Sequence, residues 1–278
     1  MHYEMFSLNK FFPVLEKYSP DFEPTLTAYL PSNSKEIDES RTRLTIIVCP
    51  GGGYGMTSDR EAEPIALAFV NMGFNAFVLR YSCFPAVWPT ALLQLSASVS
   101  FVRNNAEQFN VNKDAILVCG FSAGGHLTAS QGVFWNEDFV YETLDINRGD
   151  NKPNGLILCY PVISSGDFGH QGSIENLLSN IKTDELVAKM SLENQVSSDT
   201  PPCFIWHTFD DDCVPVENSL AFARALKEKN ISFELHIFPK GVHGLSLCDK
   251  RTGNDGYFIN NHAGNWVSLC EEWINLTF

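Results

Sequence analysis

Seven short apolar runs recur along the 278-residue chain: PTLTAYL (24–30), LTIIVC (44–49), FNAFVLRY (74–81), AILVCG (115–120), GLILCY (155–160), CFIWHT (203–208) and SFELHIF (232–238). Most of the central ones are apolar at consecutive positions. That is the pattern of strands covered on both faces, as in a parallel sheet. Helical patterns lie between them. DREAEPIALAFVNM (59–72) opens on Asp59 as an N-cap and is stopped by Gly73, and WPTALLQLSASVSFVRNNAEQF (88–109) is long and amphipathic. AGGHLTASQGVFW (123–135), VENSLAFARALKEKN (216–230) and HAGNWVSLCEEWINL (262–276) follow. Strand–helix alternation of this kind predicts an α/β layer fold, a mostly parallel central sheet flanked by helices and joined by right-handed crossovers.

Residues 161–200 break the rhythm. About forty positions separate two strands there and hold two helix-like pieces, SIENLL and DELVAKMSLENQV. The length reads as a cap-like insertion over one end of the sheet. No repeat, low-complexity tract or linker divides the chain, so residues 1–278 are expected to form one domain.

The segment CGFSAGGH (119–126) carries Gly120-Phe121-Ser122-Ala123-Gly124, a G-x-S-x-G pattern. Alone, it arises by chance in roughly one chain of this length in ten. Here it falls between a buried strand and the start of a helix, which puts Ser122 on a cramped strand-to-helix turn with its hydroxyl clear of the backbone. Small neighbours at 120 and 124 relieve the crowding and leave room for a substrate. The Ala123 N–H, at the helix N-terminus, is placed to meet an anion forming beside Ser122. The structural alternative is a glycine-rich turn whose serine merely caps the helix.

A serine hydroxyl needs a base to take its proton, and the base needs a carboxylate to orient it. Of seven histidines, His243 lies in PKGVHGLS, a glycine-flanked loop after the last strand, on the edge of a parallel sheet where the Ser122 turn falls. His262 is the second candidate, while His126 reads as a packing residue. The acid is expected after the preceding strand, where FDDDCVPVENS offers Asp210, Asp211 and Asp212. A second donor to an oxyanion is expected from the glycine loop in IIVCPGGGYG (46–55); no Gly-Lys-Ser/Thr follows that would make it a phosphate loop.

The formal net charge is −14, which disfavours nucleic acid and anionic membranes as partners but not neutral ligands. No run approaches the length that spans a bilayer, and the N-terminal residues lack the pattern of a secretory signal. The eight cysteines show no CxxC pair and no metal-ligand spacing. They read as buried reduced thiols, and the chain as cytoplasmic.

Five segments in order, CPGGGYGMTSDREAEPIA, GFSAGGHL, YPVIS, HTFDDDCVPVENS and FPKGVHGLSL, together resemble the bacterial acetylxylan-esterase-like α/β hydrolases, relatives of the lipases and esterases with a His-Gly-Gly-Gly loop. The likeness runs from about residue 44 to residue 247. It implies the α/β-hydrolase fold and a serine esterase acting on small acyl esters, often of carbohydrate, with no metal or organic cofactor. Family spacing places the acid four residues before the proline of VP, at Asp211, and the base in GVHG, at His243. The triad would be Ser122, Asp211 and His243, in the serine–acid–histidine order of the fold. Pro50 stands where the related lipases have histidine and has no N–H to give, so the oxyanion donors are expected from Gly52 and Gly53 with Ala123. Tyr54 and Tyr160, with Trp88 and the insertion, are candidate walls of a substrate pocket, although aromatics at such positions equally suit buried packing. A peptidase of the prolyl-oligopeptidase type and a non-catalytic binding protein on a hydrolase scaffold are the competing readings.

Overall fold

The computed structural model describes residues 1–278. Eight strands form one sheet: β1 (His2–Ser7), β2 (Thr25–Leu30), β3 (Arg43–Cys49), β4 (Asn75–Arg80), β5 (Val111–Phe121), β6 (Gly155–Cys159), β7 (Cys203–Thr208) and β8 (Phe233–Phe238). Their order is β1-β2-β4-β3-β5-β6-β7-β8. β2 runs antiparallel to β1 and β4, and every pairing from β4 through β8 is parallel. This is the α/β-hydrolase architecture expected from the sequence.

Ten helices accompany the sheet: α1 (Leu8–Phe11), α2 (Glu63–Asn71), α3 (Thr90–Asn104), α4 (Ala106–Phe109), α5 (Ala123–Phe134), α6 (Asp138–Leu144), α7 (Gln171–Leu178), α8 (Asp184–Lys189), α9 (Glu217–Glu228) and α10 (Trp266–Thr277). Two hydrophobic cores follow. One holds Leu93, Val133 and Phe222 from α3, α5 and α9, and the other holds Phe69, Trp266 and Trp273 from α2 and α10. Consecutive residues of a central strand serve opposite cores. Ile47 and Cys49 face the first and Ile46 and Val48 the second, and β5 does the same with Ile116, Val118 and Leu117, Cys119. That is why these runs are apolar without alternation.

All seven sequence-predicted strands are present, and the structure adds β1. Its first four residues are exposed, so HYEMFS lacks the apolar run that marks the others, yet it pairs with β2 along its full length. Asp59 does not cap α2. Residues Asp59–Glu61 form a separate 3₁₀ turn, α2 starts at Glu63 with Pro64 in its first turn, and the Asp59 carboxylate instead accepts a 2.6 Å bond from Arg80. The long 88–109 pattern divides at Asn105 into α3 and α4. The 161–200 interval carries α7 and α8, each with a side-chain N-cap: His170 Nδ1 accepts the Ser173 N–H and Thr183 Oγ1 the Leu186 N–H.

Because β3 through β8 are parallel, the loops that follow them leave the sheet at a single edge. The Ser122 turn, the glycine loop, the insertion, the aspartate loop and the His243 loop meet there.

Candidate active site

Ser122 has φ 53° and ψ −119°, a strained conformation for a residue with a side chain. Its N–H donates to Cys159 O at 3.0 Å, and its carbonyl accepts from His126 and Val162. These bonds pin the turn from β6 and from α5. A Cβ on Gly120 would lie 2.1 Å from Gly124 O, and one on Gly124 would lie 2.2 Å from Cys49 O. The two glycines therefore let α5 close onto β5 and β3; they hold the turn rather than clear a path for substrate.

The serine Oγ–H points at His243 Nε2, 2.8 Å away, and His243 Nδ1–H donates to Asp211 Oδ2 at 2.7 Å. The three side chains stand in one hydrogen-bonded line although they lie far apart in sequence. Asp211 is buried, and its other oxygen accepts the N–H groups of Cys213 (3.1 Å) and Val214 (2.9 Å). Burial alone would raise its pKa. Hydrogen bonds from His207 and His243, attraction to His243 and the Val214 N–H outweigh that and hold the carboxyl well below the usual range. His207, fully buried on β7, has Nε2 3.3 Å from Asp211 Oδ2 and 2.9 Å from Val214 O, and accepts from Ser219 Oγ on Nδ1. The neighbouring aspartates go elsewhere: Asp210 pairs with Lys240 at 2.8 Å and Asp212 is exposed. His262, the second candidate for the base, is also exposed and rests edge-on against Phe238.

In the glycine loop, Gly51 N–H is already committed to Glu61 Oε2 at 2.8 Å. The N–H groups of Gly52 and Gly53 donate to no protein acceptor, and Ala123 opens α5, where a first-turn N–H has no intrahelical partner. The loop is held from the insertion side. Asn176 Nδ2 on α7 donates to Gly53 O at 2.8 Å, and His170 Cε1 lies 4.0 Å from where a Gly53 Cβ would be.

Tyr54 and Tyr160, expected to wall a pocket, are interior residues. Tyr54 donates its hydroxyl to His126 Nδ1 at 2.9 Å, and His126 Nε2–H donates to Met190 O at 3.1 Å. Tyr160 donates to Glu61 Oε1 at 2.7 Å and accepts the Ser246 N–H at 2.9 Å, with its ring edge-on to His243. Both rings satisfy their hydroxyls inside the protein, which keeps them from a substrate. Trp88 packs on Phe134 and Phe139. Glu61 escaped the sequence reading because nothing about DREAEP distinguishes a buried carboxylate from a solvated helix start.

A cavity of about 560 Å³ opens on the β4 side of β3, lined by residues 18–22, 55–57, 81 and 83–86. None of the three aligned side chains lines it. No group of three or more His, Cys, Asp or Glu is arranged to hold a metal ion, all eight cysteines are free thiols, and no helix is long and apolar enough to cross a membrane.

The BD-FAE family model matches residues 26–226. The chain belongs to the BD-FAE family. Its relatives place this BD-FAE protein among acetylxylan-esterase-like α/β hydrolases, a group of carboxylic ester hydrolases. It is 40% identical over 251 residues to endo-1,4-beta-xylanase B of Butyrivibrio fibrisolvens, covering 88% of this chain and 37% of that protein. It is 30% identical to an acetylxylan esterase of Xylanibacter ruminicola, over 90% of this chain and 49% of the relative. The chain thus spans half or less of the length of these curated relatives. Among solved structures, the acetyl ester-xyloside bifunctional hydrolase of Caldicellulosiruptor lactoaceticus is 38% identical with a TM-score of 0.83, covering 98% of this chain and 96% of that one. The carboxylesterase Cest-2923 of Lactobacillus plantarum is 26% identical with a TM-score of 0.85, covering 99% and 98%.

Proposed function

We propose that this chain is a serine esterase that hydrolyses small acyl esters of the acetyl class, carried on sugars or xylo-oligosaccharides, through an acyl-enzyme on Ser122. The observation that carries this reading is the unbroken line from Ser122 Oγ through the His243 imidazole to the Asp211 carboxylate. Ser122 Oγ attacks the ester carbonyl while His243 Nε2 takes its proton, and Asp211 holds Nδ1–H and balances the imidazolium. The N–H groups of Gly52, Gly53 and Ala123 donate to the carbonyl oxygen as negative charge develops on it, and each such donor contributes about 3 kcal/mol to transition-state stabilisation. His243 returns the proton to the leaving alcohol. Water then enters, loses a proton to His243, and releases the acid with Ser122 restored.

The small acyl class is supported by confinement around the serine: Ser122 is nearly buried, and α7 is bonded onto the glycine loop. The carbohydrate alcohol is supported by the acetylxylan esterase and acetyl ester-xyloside hydrolase relatives. Proton carrier and nucleophile already in contact favour catalysis over a receptor role.

A rate panel tests the reading, with acetyl, butyryl, octanoyl and feruloyl esters beside acetylated xylo-oligosaccharides and with stoichiometric labelling by a serine-reactive phosphonate. Acetyl esters are expected to turn over fastest, with acetate released from the oligosaccharides and the label on Ser122. Folded protein that neither labels nor cleaves acetyl esters would overturn it.

A further inference from the structure

Glu61 is buried and faces no cation. Its carboxylate is satisfied by the Gly51 N–H at 2.8 Å and the Tyr160 O–H at 2.7 Å. Those two donors belong to different parts of the site. Gly51 begins the glycine loop, while Tyr160 passes the contact on by accepting the Ser246 N–H at 2.9 Å, three residues beyond His243. The rest of the 3₁₀ turn reaches the same loop. Ser246 Oγ donates to Arg60 O at 2.6 Å, and the Arg60 guanidinium donates to Gly244 O at 2.7 Å and Thr252 O at 2.6 Å. A Cβ on Gly51 would sit 2.8 Å from Glu61 Oε2 and 2.9 Å from Ser122 Cβ, so the carboxylate lies directly behind the nucleophile's wall.

We propose that Glu61 is a positioning residue that locks the glycine loop and the His243 loop in one register, so that oxyanion donors and proton carrier address the same carbonyl. The inference rests on the esterase reading of Ser122, His243 and Asp211. A carboxylate suits this place because it is acceptor-only and can take both N–H and O–H. By taking the Gly51 N–H it also keeps that group out of the oxyanion site, leaving the role to Gly52 and Gly53. A glutamine can keep the Gly51 N–H on its Oε1 only by turning its Nε2–H₂ to the Tyr160 hydroxyl, which reverses that bond and leaves the phenol O–H without its acceptor.

The test compares wild type, Glu61→Gln, Tyr160→Phe and the double variant with p-nitrophenyl acetate and with a trifluoromethyl ketone, whose serine adduct mimics the oxyanion. Thermal melting verifies folding. Glu61→Gln is expected to lower kcat about 10–100-fold with KM within threefold, and to weaken ketone binding in proportion to kcat/KM. Tyr160→Phe, which keeps the Gly51 contact, is expected to lose about 3–10-fold, and the double variant to be no worse than Glu61→Gln alone because the two act through one chain of bonds. Folded Glu61→Gln with kcat within twofold of wild type overturns the proposal, as does a loss confined to KM. Should Glu61→Gln not fold, Tyr160→Phe decides: unchanged kcat and ketone affinity overturn the proposal. Wild-type protein that does not cleave the acetate would sink the esterase reading itself, an outcome distinct from active wild type with an indifferent Glu61.

Discussion

Two carboxylates lie buried at the same edge of this sheet, and their neighbours set them apart. Asp211 faces two imidazoles and two backbone N–H groups, and one of those imidazoles reaches the serine. Glu61 faces an amide and a phenol, neither of which gives up its proton near neutrality. A carboxylate beside histidine can steady a moving proton, whereas one beside an amide and a phenol can only hold geometry. On the proposed reading the same side-chain chemistry serves two purposes, and the partner decides which.

The sharpest way to break the comparison is to remove the group that only one of the two lines serves. Ser122→Ala is expected to lower kcat for acetyl esters by about 10⁴-fold or more with the melting temperature nearly unchanged, read by rate assay and thermal melt. Asp211→Asn should follow, at about 10³–10⁴-fold in kcat, since the amide no longer selects the Nδ1–H tautomer of His243. That loss should clearly exceed the one from Glu61→Gln; equal losses would mean the two carboxylates do not differ in role. Gly51→Ala attacks the Glu61 side from the backbone. Its Cβ would stand 2.6 Å from Phe121 O, so kcat should fall about 10–100-fold with a stability cost of about 1–3 kcal/mol by denaturant titration.

Acid sharpens the Asp211 side of the comparison against a third buried group, His126. His126, in the Tyr54 link, is pushed down to about 4 by burial, only partly opposed by its bond to Met190 O. The unfolded chain binds that proton first, so stability falls as pH drops from about 6.5 towards 4, by on the order of 3 kcal/mol. Asp211 is shifted in the same direction, but from a lower ordinary value. Its pKa is depressed on folding, so its contribution persists through this window and is lost only in stronger acid. Urea titrations at pH 7, 5.5 and 4 should show the early loss in wild type and a shallower one in His126→Gln. The smallest effect is expected from Asp210→Asn, whose carboxylate pairs with Lys240 on the surface. Its kcat should stay within twofold of wild type, and a Asp211-sized loss would show that the middle aspartate is not the one that counts.

What could be read without the fold was whatever local pattern records. Strands feeding two cores need apolar residues along their buried length, so β3 through β7 stood out, whereas β1 is an edge strand with four exposed residues, held by pairing with β2 and by Phe6 alone in the core, and left no such mark. Ser122 was legible because a strand-to-helix turn needs small residues on both sides, and His243 because its loop follows the last strand. Three adjacent aspartates offered no local distinction; folding separates them by turning Asp211 inward to the N–H groups of Cys213 and Val214 while Asp210 and Asp212 face out. Tyr54, Tyr160 and Glu61 depended on the fold altogether. An aromatic ring or a carboxylate is the same in a pocket wall and in a buried network, and the partners that settle its role, His126, Ser246 and Gly51, come from distant parts of the chain that only tertiary packing brings within bonding distance.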